Sequence, residues 1–163
     1  MAKNKEEKTN VMRVLEQKKI AYTAHTYPHE EGMAVDGVTV AKSMGFDPAI
    51  VFKTLVARGA SKQYYVFDVP VAENLDLKKA AKAVGEKSIE MIHQKELLPL
   101  TGYVHGGCSP VGMKKLFPTV FHSSAENLAA MIVSAGKIGY QVELAPHDLA
   151  ALVRAKFADI IAE

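Results

Sequence analysis

The spacing of apolar residues changes period along this chain, and each change marks an element. Val11, Val14 and Leu15 recur at three and four residues behind Thr9 and Asn10, which predicts a first helix capped by one of those two. Residues 22–27 read as a strand closed by Pro28. Asp36 is placed to cap a second helix running to Met44, and Gly45 to end it. Asp47-Pro48 supplies a cap and a proline at the first helical position, so a single turn is expected there. Two β-rich runs, 51–57 and 64–71, flank the turn Arg58-Gly59-Ala60-Ser61 and read as a hairpin.

The second half continues the alternation. Asp76 caps a helix with Leu77, Ala80, Ala81 and Val84 at helical spacing, stopped by Gly85. Residues 94–98 predict a short helix ended by Pro99. A strand is expected at 119–122, and Ser123 with Glu126 fits a capping box for another short helix. Strands at 131–134 and 140–144 flank a glycine-bearing turn. Asp148 caps a last helix carrying Leu149, Leu152, Val153 and Phe157. Helices and strands interspersed in this way, with hairpins among them, predict an α/β (α+β) fold: one mixed sheet with helices packed on it. Residues 1–8 read as a flexible tail and 9–163 as a single domain.

Composition narrows the picture. The chain has 163 residues, of which 48% are hydrophobic and 23% charged, enough for one sizeable core. No apolar run approaches a membrane span, and the charged start MAKNKEEKTN has no hydrophobic region of the secretory kind. The single cysteine cannot form an internal disulfide, and the expected compartment is the cytoplasm. A net charge of +2 is too small to signal DNA or RNA binding by bulk electrostatics. Lys78, Lys79 and Lys82, and Lys114 with Lys115, read as solvated faces. No cofactor is expected, since phosphate-loop, dinucleotide and nucleophile-elbow patterns are all missing from the sequence. His25 and His29 are four apart, but Pro28 and the strand context deny them a helical face, so no metal site is expected.

Three features could carry chemistry. Residues 102–115, GYVHGGCSPVGMKK, form a glycine-rich loop whose freed backbone N–H groups could hold an anion or a polarised carbonyl. Lys53 interrupts the apolar strand VFKTLVA. On an outward face it would be harmless, whereas on an inward one it would need a purpose such as pairing with a phosphate. Thr54 points to the opposite face. Cys108 could be a nucleophile, but free cysteine is among the most buried residue types, and the structural reading is favoured. Ser134 and Gly136 make a second glycine turn that could form the other wall of a pocket.

Four separated segments resemble the YbaK/EbsC family: VFKTL around Lys53, LDLKKAAKAVG at 75–85, the loop at 102–115, and VSAGKIGYQVEL at 133–144. The resemblance runs from about residue 11 to 160. It implies a curved mixed sheet with flanking helices, related to the editing domain of bacterial prolyl-tRNA synthetases. It also implies a deacylase for cysteine mischarged on the proline tRNA, and possibly for Cys-tRNA(Cys). The implied partners are the 3′ end of aminoacyl-tRNA and a prolyl-tRNA synthetase in a ternary complex. On this resemblance Lys53 is the catalytic lysine, anchoring the terminal adenosine region and orienting the ester. Tyr27, Thr54, Gly106, Gly107, Ser109, Pro110, Ser134 and Gly136 form the substrate site. The substrate's own thiol attacks its ester carbonyl, releasing the tRNA and a cyclic thiolactone, so no protein nucleophile is needed. Asp36 and Gln141 depart from the cysteine-specific pattern, an aromatic and an acidic residue being usual there, and leave the amino-acid choice open. A deacylase for another small amino acid such as alanine, a non-catalytic tRNA- or synthetase-binding module, and a thiol enzyme using Cys108 remain the alternatives.

Overall fold

The computed structural model describes residues 8–163, so apart from Lys8 the expected N-terminal tail lies outside the described residues. Five helices appear: α1 (Asn10–Gln17), α2 (Gly37–Ser43), α3 (Leu77–Val84), α4 (Gln94–Thr101) and α5 (Pro146–Val153). The strands are β1 (Thr23–Thr26), β2 (Phe52–Gly59), β3 (Tyr64–Pro70), β4 (Ile89–Met91), β5 (Thr119–His122), β6 (Met131–Ser134), β7 (Tyr140–Leu144) and β8 (Lys156–Ala158). Four of the expected caps form as read, Asp47 accepting the Ala49 N–H at the single 3-10 turn Pro48–Ile50. Thr9, Asp36 and Asp76 each accept a backbone N–H in the first turn of α1, α2 and α3. Gly85 closes α3 in the left-handed conformation.

The curved mixed sheet takes the form of two hydrogen-bonded sheets. One is antiparallel in the order β1-β7-β6, and the other is mixed in the order β4-β2-β3-β5-β8. A single parallel bridge, Val51 to Ile132, joins them. Ala41, Val51, Val71 and Ile132 pack into a small apolar cluster at this seam, with Val38, Met44 and Phe46 against it. The main core, built on Phe52, Val56, Val66, Phe121, Met131 and Val142, spans both sheets. A separate cluster around Phe67, Val69 and Ile89 fills the space under α3.

Several local readings are corrected. β2 runs on to Gly59, whose backbone pairs with Ile89 of the unanticipated strand β4, so the turn begins later than Arg58. α4 does not stop at Pro99 but continues to Thr101. The Thr101 hydroxyl donates to the Leu97 carbonyl at 2.8 Å and the left-handed Gly102 donates to Leu98, securing the last turn despite the ring. Ser123 makes no capping box; residues Ser123–Asn127 form a 3-10 helix entered from His122. Asp148 does not cap α5, which starts at Pro146 after Ala145, although its carboxylate suits the first turn. Phe157 belongs to β8, the edge strand parallel to β5, and not to the last helix.

Candidate active site

Where the two sheets part, beside the Val51 bridge, a cavity of about 410 Å³ opens. That volume falls in the range of small-molecule sites. One wall comes from β2 and brings Lys53 and Thr54. The opposite wall comes from the antiparallel sheet, with Ser134 at the end of β6, Gln141 on β7, and Tyr27 just past β1. The glycine loop closes a third side with His105, Gly106 and Cys108, and the cap residue Asp36 stands at the entry to α2. Five of the nine sequence-derived site residues therefore share one lining: Lys53, Tyr27, Thr54, Gly106 and Ser134.

The other four stand behind it and hold the loops. A side chain on Gly107 would press within 3.1 Å of the Ile138 backbone nitrogen, so this glycine lets the loop at 102–115 lie directly on the turn after β6. Ser109 is fully buried, and its hydroxyl accepts from the Val111 N–H at 3.2 Å. Pro110 is buried beside it. Gly136, at a φ of +93°, packs on Tyr103 and Val11, while its N–H donates to the Ser134 hydroxyl at 3.1 Å. The serine-glycine turn thus fixes Ser134, and Ser134 faces the cavity.

Lys53 is half-buried, and burial lowers its proton affinity while the charges of Asp36 and Glu73 raise it. Its nearest carboxylates do not come within ion-pair distance among the described residues, which leaves the cation available to an anionic occupant. Tyr27 is buried, and burial pushes its phenol up. Asp36 accepts from both the N–H and the hydroxyl of Thr39, so the departure at this position serves as a helix cap as well as an acidic rim. Gln141 is 7% exposed, and its Oε1 has no hydrogen-bond partner among the described residues.

Cys108 is also only 7% exposed, and burial, assisted by the neighbouring Asp68, pushes its thiol up to about 12. At neutral pH that leaves roughly one molecule in 10⁵ as thiolate, too little to act as a nucleophile. Replacement of Cys108 by serine is therefore expected to leave turnover within about twofold of wild type. Alkylating reagents at pH 7.5 should react with the native protein far more slowly than with the unfolded chain, and rapid native labelling would show the thiol to be accessible.

One charged residue behind the cavity lining escaped the sequence reading. Asp68 interrupts the run YYVFDVP in β3, is 0% exposed, and accepts from the Thr54 hydroxyl at 2.5 Å. Burial pushes its carboxyl up to about 7. Its position on the same alternating face as Val66 was the available signal. Because its folded affinity for a proton exceeds the unfolded one, its contribution to stability is complete below about pH 4 and is lost as pH rises through about 7.

A family model described as the aminoacyl-tRNA editing domain matches residues 29–152. A protein from Enterococcus faecalis, provisionally named Cys-tRNA(Pro)/Cys-tRNA(Cys) deacylase EbsC, is 46% identical over 161 residues, covering 98% of both chains. Among solved structures, a provisionally named trans-editing enzyme for prolyl tRNA synthetase superposes with a TM-score of 0.79 at 24% identity, covering 94% of this chain and 95% of that one. The hypothetical protein APE2540 superposes with a TM-score of 0.82 at 18% identity, covering 93% and 99%. At these identities the two structures speak for a shared fold.

Proposed function

The chain belongs to the aminoacyl-tRNA editing domain family, and on that footing we infer that it is an aminoacyl-tRNA deacylase acting in trans, clearing cysteine from mischarged proline tRNA. The observation that carries the reading is a pocket fronted by the half-buried Lys53, in which the one thiol, that of Cys108, is held protonated. Such a site can grip a phosphate and orient an ester, and its cysteine supplies no nucleophile. The substrate's sulfur takes that part. It attacks the ester carbonyl, the carbonyl carbon–O3′ bond breaks, the ribose hydroxyl regains a proton, and the thiolactone leaves to be opened by water. The pocket needs only to hold the aminoacyl end so that sulfur and carbonyl meet. Lys53 anchors the terminal adenosine through a phosphate, and the backbone around Gly106 contacts the aminoacyl group. A second site of this kind answers a real difficulty, since cysteine and proline differ too little in size for one pocket to separate them strongly.

A panel of mischarged tRNAs offered to the purified protein tests this. Cysteinyl-tRNA(Pro) should be cleared, and the same tRNA carrying S-methylcysteine should persist. Faster loss of alanine would move the amino-acid choice, and binding without ester loss would make the chain a tRNA-holding module instead. With a net charge of only +2, affinity for tRNA alone should fall as salt rises, because phosphate contacts release counterions. Filter binding from 50 to 300 mM salt reads this directly, and a flat response would argue against phosphate contact. A prolyl-tRNA synthetase bound to the same tRNA would supply the missing affinity in a ternary complex, in the cytoplasm where both are found.

A further inference from the structure

Asp68 has no part in the chemistry above, yet it is a costly residue to keep. Its register partner across the β2–β3 ladder is Thr54, so both side chains stand on one face of the sheet, with Phe52, Val56 and Val66. Phe121 of β5 faces it from the other ladder. Oδ1 accepts the Thr54 hydroxyl, and Oδ2 has no hydrogen-bond partner among the described residues. Apart from its burial, the Thr54 hydroxyl is what sets its proton affinity, and the titratable group it acts upon is the Cys108 thiol in the glycine loop. A valine there would match the apolar rhythm of the strand and leave no orphaned oxygen. A residue that breaks a local rule at such cost beside a binding cavity calls for a use.

We propose that Asp68 is a positioning residue for Thr54, committing its hydroxyl proton inward so that the oxygen meets the pocket's occupant as an acceptor. A hydroxyl carries one proton and two lone pairs, so the direction of the proton decides what it can recognise. Thr54 lines the cavity from β2, and Gln141, whose buried Oε1 has no hydrogen-bond partner among the described residues, lines it from the facing sheet. A Thr54 oxygen left to accept suits an N–H donor in the cavity, which on an aminoacyl ester is the α-amino group. This rests on the deacylase reading above. Protonation of Asp68 would let its own O–H turn to Thr54 and free the Thr54 proton toward the cavity, reversing the polarity of the wall. Recognition of the amino group therefore weakens as pH falls through about 7.

The test compares wild type with Asp68→Asn and Asp68→Val on two esters of the same tRNA, cysteinyl and 3-mercaptopropionyl. The second keeps carbonyl and thiol but lacks the amino group. Wild type should favour the cysteinyl ester by about tenfold or more, in KM rather than kcat. Asp68→Asn keeps an acceptor for the Thr54 proton, so it should retain that preference while losing the pH break near 7. Asp68→Val should lose the preference and yet melt at a higher temperature at pH 8, because the buried ionised group is gone. A preference that survives in Asp68→Val would overturn the proposal, as would its loss together with a lowered melting temperature in both variants, which marks a merely structural residue. If wild type hydrolyses neither ester, the deacylase reading itself has failed and the inference falls with it.

Discussion

Replacing Lys53 with alanine is expected to lower kcat/KM on cysteinyl-tRNA(Pro) by about 10²- to 10³-fold, the usual cost of deleting one preorganised charged donor from a water-poor site. The expectation follows from place and environment together. Lys53 lines the cavity from β2, burial lowers its proton affinity, and no carboxylate among the described residues neutralises it within ion-pair distance. Its charge is therefore held for an anionic partner at some cost to the free protein. Thermal stability should accordingly stay level or rise in the alanine variant, separating a functional loss from an unfolded sample. Arginine should restore little, because a planar fork does not reproduce a compact ammonium in a formed pocket. Unchanged turnover in Lys53→Ala would remove the lysine from the mechanism.

The second large effect should come from Gly106→Val. Gly106 has a φ of +90°, and a Cβ there would sit 2.7 Å from the Cβ of Ala34 and 3.4 Å from Cγ1 of Ile138. The backbone conformation costs a branched residue about 1–2 kcal/mol, and overpacking against Ala34 adds about 1–3 kcal/mol. Together these approach half the stability of a small domain, about 5–15 kcal/mol. The loop cannot relieve the clash by moving outward without opening a pocket wall, so activity should fall with the denaturation midpoint. Gly32→Ala is the control. Gly32 also has a positive φ, but nothing lies within 4 Å of its added Cβ, so only the conformational cost of about 1 kcal/mol should appear. Equal midpoints for Gly106→Val and wild type would mean that the loop accommodates the side chain by shifting.

The sequence exposed the fold best where one residue type has one cheap place to sit. Thr9, Asp36 and Asp76 cap because a short polar side chain before an apolar period has little else to do. It was least legible where an element depends on distant partners. β4 and β8 have three residues each and exist only because β2 and β5 offer them edges. The extension of α4 past Pro99 needs Thr101 and Gly102 acting together, which a rule about proline alone does not contain. At the site, the glycines and Lys53 stood out against their surroundings. The division between lining residues and the supports Gly107, Ser109, Pro110 and Gly136 came from three-dimensional packing, since neighbours in one loop can face opposite ways. Asp68 was visible as a charge in an apolar strand, but its meaning required knowing that Thr54 is its cross-strand partner.

The single bridge between Val51 and Ile132 has a further consequence. The two sheets that it joins each bring one wall of the pocket, so a molecule held between Lys53 and Gln141 is a tie-rod across a joint. The two sheets share one apolar core, yet their separate ladders can still open locally and exchange amide hydrogens at different rates. A bound aminoacyl end should bring those rates together, slowing exchange in β6 and β7 as much as in β2, although it touches each sheet at only a few atoms. The bound molecule would then add a polar tie to the apolar core that the two sheets already share.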